Sequence, residues 1–125
     1  MQFDHIDLRV RNLAAARPFF DALLPAMGLS HINADSESAG YHAPGETGAE
    51  PFLWVVEDPQ HRPGESRIAF AAPTRDEVDR LSEIARKANA GAFEAPALIE
   101  EYGPKYYASF FEDADGNKFE ICCRR

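Results

Sequence analysis

Hydrophobic and polar residues alternate at the start of the chain. Over residues 3–10, the apolar side chains of Ile6, Leu8 and Val10 fall on one side of an extended strand. The polar side chains, His5 among them, fall on the other side. The alternation predicts a β-strand with one apolar face.

A helix is predicted directly after this strand. Asn12 is a suitable N-cap, apolar residues then recur at helical spacing to about Met27, and Gly28 ends the pattern. Pro18 falls inside this segment and removes one backbone hydrogen bond. Its place near the first turn makes the proline tolerable.

Three short strands are predicted next, at about Leu29–Ala34, Ala39–Ala43 and Pro51–Glu57. The third contains a run of aromatic and β-branched residues, which favour strands. A polar stretch rich in proline and glycine follows from Asp58 and is typical of a linker.

The same order of elements then begins again. Residues 67–72 alternate as a strand, Thr74 and Glu77 have the spacing of a capping box, and a helical stripe runs to Gly91. A shift of 62 positions places Ile6, Leu8, Val10 and Asn12 on Ile68, Phe70, Ala72 and Thr74. The strand face and the helix cap therefore repeat together.

The remaining strands are predicted at either Phe93–Pro96 or Leu98–Tyr102, at Tyr106–Glu112 and at Lys118–Cys123. The fold class is therefore α+β, with two βαβββ modules in a single domain. The first module spans about 1–57, the linker 58–66 and the second module about 67–125. Because one module cannot cover both faces of its own sheet, we expect the two modules to pair, with helices outside and a cavity between curved sheets.

Glu120 lies in the middle of the apolar run that forms the last strand. A buried carboxylate needs a metal ion, a cation or a hydrogen-bond donor. Strand parity lets His5, Arg67 and Glu120 point into the shared cavity, two from the leading strands of the modules and one from the last strand. We therefore expect Glu120 to face this cavity and not the solvent.

Charge and composition exclude several classes of function. The net charge of −8 argues against binding to nucleic acid, and no apolar run is long enough to cross a membrane. The N-terminal residues lack the basic and apolar regions of a signal peptide. Cys122 and Cys123 are adjacent, which suits neither a disulfide nor a zinc site, so a reducing cytoplasm is the expected location.

Three segments resemble the vicinal oxygen chelate (VOC) superfamily, which includes glyoxalase I, bleomycin-resistance proteins, fosfomycin-resistance enzymes and extradiol dioxygenases. They are FDHIDLRVRNLAAARPFFDALLPAMGL, RIAFAAPTRDEVDRL and EYGPKYYASFFEDADGNKFEI. The last is the most specific, with a Tyr-Tyr strand, an Asp-x-Asp-Gly-Asn turn and a strand with a central Glu. The resemblance implies paired βαβββ modules, a homodimer and, in many members, a divalent metal such as Zn, Ni, Mn or Fe.

The resemblance implies His5 and Glu120 as metal ligands, with Glu120 as an alternative catalytic base. The chain departs from the family where the second module begins, because Arg67 stands where a second His is common. A guanidinium group has no lone pair to donate to a metal. His42 or His61 would have to replace the missing ligand, and neither has the expected position.

Two roles remain open for Arg67: a bidentate ion pair with Glu120, or direct binding of an anionic substrate. Tyr102, Tyr107 and Trp54 are further candidates for contact with a substrate, as is Tyr106. Adjacent tyrosines face opposite sides of a strand, so Tyr106 and Tyr107 cannot both line one cavity.

Two functions are therefore expected from the sequence. The first is a VOC protein that binds or acts on a small, anionic metabolite in the cavity between the modules, with an incomplete metal site or no cofactor. The alternative is a metal-dependent lyase, isomerase or dioxygenase in which the ion acts as a Lewis acid. The residues do not decide between an enzyme and a binding protein.

Overall fold

The computed structural model describes all residues, 1–125. The chain divides into two compact units, Met1–Arg62 and Pro63–Arg125. Its elements, in order, are β1 His5–Val10, α1 Leu13–Ala26, β2 His31–Ala34, β3 Ser38–His42, β4 Phe52–Glu57, β5 Arg67–Ala71, α2 Arg75–Lys87, β6 Gly91–Leu98, a 3-10 turn Glu100–Tyr102, β7 Tyr107–Glu112 and β8 Lys118–Cys123.

The first unit is one four-stranded sheet with one helix. The strand order is β1-β4-β3-β2, with β1 parallel to β4 and the other pairs antiparallel. Helix α1 contacts β3 and β4, and its buried side chains include Phe20 and Leu24. The apolar face predicted for β1 packs on this side, where Leu8 and Val10 are buried.

The second unit repeats this topology. Its order is β5-β8-β7-β6, with β5 parallel to β8, and α2 contacts β6, β7 and β8. Val78 and Leu81 of the helix are buried, as are Phe119 and Ile121 of the sheet. The predicted α+β fold with two βαβββ modules is therefore confirmed.

The predicted helix starts are also present. The side chain of Asn12 accepts from the N–H of Ala15 at 2.9 Å, and that of Thr74 accepts from the N–H of Glu77 at 3.1 Å. The capping box is only half formed, because the Glu77 carboxylate accepts from Arg80 instead. Helix α1 continues through Pro18, which is exposed.

One predicted boundary was wrong, and one alternative is resolved. Helix α2 ends at Lys87 and not at Gly91, because Asn89 takes the left-handed conformation (φ 69°) that ends the helix. For the next strand, the predicted alternative Phe93–Pro96 lies within β6, which covers residues 91–98 with two register shifts, whereas the alternative at 98–102 is mostly the 3-10 turn. Neither α1 nor α2 combines the length and apolar character that a membrane span requires.

A buried tyrosine connects the helix and the sheet of the first unit. Tyr41, on β3, is 0% exposed, and its hydroxyl donates to Oδ1 of Asp21 on α1 at 2.6 Å. Asp21 also pairs with Arg17 at 3.2 Å. Burial raises the pKa of Tyr41, and the hydrogen bond to Asp21 raises it further.

This raised pKa predicts a loss of stability at alkaline pH. The folded chain holds the Tyr41 proton more tightly than the unfolded chain, so the free energy of unfolding falls as the pH rises above about 10. The raised pKa values of Tyr106 and Tyr107 act in the same direction. In urea unfolding between pH 8 and 11, Tyr41→Phe should reduce this pH dependence. A slope equal to that of the unchanged protein would contradict the prediction.

Candidate functional site

The second sheet has one face covered by α2 and one face without a helix. Glu120 lies opposite Ala69 on β5 and Phe110 on β7, so these three residues share the helix-free face. The next pairs along the strands place further residues on the same face: Arg67, Lys118 and Glu112 in one row, and Ala71, Cys122 and Ala108 in the other.

Glu120 is buried on this face, with 6% of its surface exposed. The Tyr106 hydroxyl donates a short hydrogen bond to its Oε2. Burial raises the pKa of Tyr106, and the bonds to Glu120 and Cys122 raise it further, so Tyr106 stays a neutral donor. A carboxylate can accept about four hydrogen bonds, so Glu120 keeps capacity for a further donor.

Arg67 does not form the ion pair with Glu120 that was one of its two expected roles. Its guanidinium lies over the ring of Phe110, 4.9 Å from the ring centroid, and no carboxylate pairs with it. Glu120 is bonded to Tyr106 instead. The exposed Arg67 is therefore available to an anion, with its guanidinium over an aromatic ring.

The row that contains Arg67 carries an excess of positive charge. Lys118 is the register partner of Arg67, and its Nζ pairs with Oε2 of Glu112 at 3.1 Å. One carboxylate thus faces two cations in this row, and the unneutralised cation is Arg67. The local charge opposes the acidic net charge of −8.

The two tyrosines proposed as substrate contacts have different places in the second unit. Tyr107 is on the face that carries α2, where its hydroxyl donates to Oδ1 of Asp79 at 2.6 Å. Tyr102 is exposed in the 3-10 turn and packs edge-on against Tyr106, with ring centroids 5.5 Å apart. The Tyr102 ring therefore contacts Tyr106, the tyrosine that binds Glu120, whereas the Tyr107 side chain lies on the opposite face.

In the first unit, the helix-free face carries a row of three rings. The rings of His5 and His42 stack on opposite sides of Phe52, with centroids 4.7 and 4.6 Å from it. Nδ1 of His5 donates to Oδ1 of Asp4 at 2.6 Å. Trp54 lies two residues beyond Phe52 on the same face and is 39% exposed.

Within each unit, the donor groups do not fit a three-ligand metal site. In the first unit, the ring of Phe52 separates His5 from His42, so their nitrogens do not converge. In the second unit, Arg67 and Lys118 occupy the row next to Glu120 on the same face, and neither cation donates a lone pair to a metal. No group of three or more His, Cys, Asp or Glu side chains is placed to hold a metal ion.

Tyr106 is the residue that sequence analysis did not assign to Glu120. It precedes β7 by one residue and is 14 positions away from Glu120 in the chain. The only sequence signal was the Tyr-Tyr pair itself, whose parity is set by the pairing of Phe110 with Glu120. Cys122, buried beside Glu120 on the helix-free face, was likewise considered only as a disulfide or zinc candidate.

The adjacent tyrosines provide a matched test of this arrangement. Tyr106→Phe leaves the buried Glu120 carboxylate without its hydroxyl donor and should lower the free energy of unfolding by about 1–3 kcal/mol. Tyr107→Phe removes an equivalent bond to Asp79 at an exposed position and should cost less. Urea unfolding at pH 7 measures both. Equal losses would show that burial of Glu120 does not set the strength of its bond.

The comparison with protein families gives a match over nearly the whole chain. The model of the Glyoxalase/Bleomycin resistance protein/Dioxygenase superfamily matches residues 2–121. No curated protein matches the sequence at a significant level.

Solved structures share the fold at low sequence identity. A glyoxalase/bleomycin resistance protein from Albidiferax ferrireducens T118 superposes with a TM-score of 0.80 at 24% identity, with 98% of each chain covered. The fosfomycin resistance protein FosX from Mesorhizobium loti gives a TM-score of 0.68 at 18% identity, with coverage of 98% of this chain and 91% of that one. A glyoxalase-related enzyme from Fulvimarina pelagi gives 0.74 at 20% identity, with coverage of 98% and 88%. With the family model matched over residues 2–121, the chain belongs to the Glyoxalase/Bleomycin resistance protein/Dioxygenase superfamily.

Proposed function

We propose that the protein binds a small anionic molecule on the helix-free face of the second sheet, with Arg67 as the anchor. The observation that carries this proposal is the exposed Arg67 guanidinium, which lies on the Phe110 ring without a carboxylate partner. A planar guanidinium binds a carboxylate, phosphate or phosphonate through two parallel hydrogen bonds.

The neighbouring residues support an anion whose other end is polar and uncharged. Glu120 pairs with Ala69, in the row of the sheet next to that of Arg67. Its carboxylate would repel a second negative charge on the ligand. Its remaining acceptor positions suit a hydroxyl or amide donor of the bound molecule. The ligand expected here therefore carries one anionic group and a hydrogen-bond donor.

Glu120 is also the residue that we propose for proton transfer if the bound molecule reacts. It is buried, bonded to a neutral hydroxyl and not paired with a cation, and these conditions are typical of a general base. This second candidate function is an enzyme that removes a proton from the anionic ligand. His5, the other residue expected to bind a metal, has no part in it.

Titration calorimetry with a panel of small anions tests the binding proposal. The panel contains acetate, lactate, inorganic phosphate, methylphosphonate and fosfomycin, since two of the solved structures of this fold are fosfomycin resistance proteins. Arg67→Gln should weaken binding of any anion that binds by about ten- to a hundredfold, the loss expected for charge-assisted hydrogen bonds.

Arg75→Gln is the matched control. Arg75 also lies over an aromatic ring, that of Tyr107 at 5.4 Å, but on the face of the sheet that carries α2. Binding should be unchanged in this variant. Equal effects of the two substitutions, or no binding of any anion by the unchanged protein, would contradict the proposal.

A further inference from the structure

We infer that the helix-free face of the first sheet holds a slot for a planar aromatic ring that is uncharged or positively charged, and that this ring stacks on Trp54. The slot lies wholly within residues 1–62. It differs from the Arg67 site in residues and in the sign of its charge, and thus goes beyond the proposed function.

Strand pairing creates the slot beside Trp54. The register partners of Trp54 are Asp7 on β1 and Gly40 on β3. Because Gly40 has no side chain, no Cβ separates the indole from Asn33, the partner of Gly40 on β2, and the edge of the His42 ring reaches into part of this space. The resulting open cavity has a volume of about 370 Å³, within the range of small-molecule sites.

The stacked rings of His5, Phe52 and His42 form one wall of this slot. His42 lines the cavity and stacks on Phe52, which fixes its ring plane. A Cβ atom added to Gly40 would lie only 2.8 Å from Nε2 of His42. The imidazole edge therefore reaches over the glycine, where it can exchange a hydrogen bond with the edge of a bound ring.

The charges around the slot select the class of ring. No lysine or arginine lines the cavity, and its one carboxylate is that of Asp35. The backbone N–H groups of Glu37 and Ser38 donate to Asp35 at 2.8 and 2.9 Å, which keeps this carboxylate ionised and in place. A carboxylate beside an exposed indole favours a cationic or neutral heteroaromatic ring over an anionic one.

Trp54 is the only tryptophan in the chain, so its fluorescence reports on this slot alone. We would titrate the protein with three probes that share a pyridine ring: 1-methylnicotinamide, nicotinamide and nicotinate. The expected result is saturable quenching in the order cation, neutral, anion. Calorimetry should confirm the binding of the cationic and neutral probes, which have no carboxylate for the Arg67 site. Nipecotamide, the saturated analogue of nicotinamide, should not bind.

Two variants separate the shape of the slot from its charge. Gly40→Ala puts a methyl group 2.8 Å from the position of Nε2 of His42, so the imidazole that forms one wall of the slot has to move, and saturable quenching by all three pyridine probes should be lost. Asp35→Asn keeps the oxygen that accepts from Glu37 and Ser38, and should reduce the preference for the cation over nicotinate by roughly two- to fivefold. Because Asp35→Asn preserves the shape of the side chain, this variant still tests the inference if Gly40→Ala fails to fold.

Ile32→Ala is the control on the same strand as Asn33, because Ile32 pairs with Tyr41 and belongs to the opposite face. This variant and Arg67→Gln should both leave the quenching of Trp54 by 1-methylnicotinamide and nicotinamide unchanged, which separates the slot from the anion site. Quenching that never saturates, or an order that favours nicotinate, would overturn the inference. So would Trp54 emission that changes on dilution of the protein while no probe binds, because another copy of the chain would then cover the slot.

Discussion

Each four-stranded sheet carries a single helix, and a single helix covers only one of the two sheet faces. In the central strands, alternate apolar side chains pack on the side of the helix, as Leu53 and Val55 show in the first unit and Phe119 and Ile121 in the second. Because side chains alternate, the intervening residues must all fall on the other face. Glu120, Arg67 and Trp54 owe their positions on the helix-free faces to this constraint.

The helix-free faces of the two sheets differ in the groups that they bury and expose. The second sheet buries a carboxylate, Glu120, under a tyrosine hydroxyl and leaves the cation Arg67 exposed on an aromatic ring. The first sheet leaves an indole exposed, places a carboxylate at the rim and has no cation in the cavity. One repeated topology thus carries two surfaces of different electrostatic character, so the function of one module cannot be transferred to the other by the repeat alone.

The fold could be predicted because its determinants are local. Alternation over β1, β5 and β8 marks the strand faces, and Asn12 and Thr74 mark the starts of the helices. Prediction failed where the geometry is irregular. Strand β6 has register shifts on either side of Glu94, and its side chains do not show a clean period of two in their burial. The end of α2 was misplaced because Asn89, without a glycine, adopts the left-handed conformation there.

The site could be predicted only in part, since its contacts depend on the register between strands. The alternation of side chains along the strands predicted that Glu120 and Arg67 share a face. It could not show whether the carboxylate and the guanidinium would form an ion pair. The structure places the Phe110 ring under the guanidinium and the Tyr106 hydroxyl on the carboxylate. Both partners come from the segment before or within β7, at positions that no local pattern relates to β8.

The Tyr106 hydroxyl allows the carboxylate of Glu120 and the guanidinium of Arg67 to remain unpaired. Without a donor, a buried carboxylate would attract a nearby cation, and Arg67 and Lys118 both lie in the next row of the same face. The hydroxyl supplies a neutral donor, because burial and Glu120 together raise the pKa of Tyr106 and keep its proton in place. Glu120 is thereby stabilised without consuming a positive charge. Arg67 remains exposed for an external anion, and the acid and the cation act on a ligand as two separate groups instead of neutralising each other.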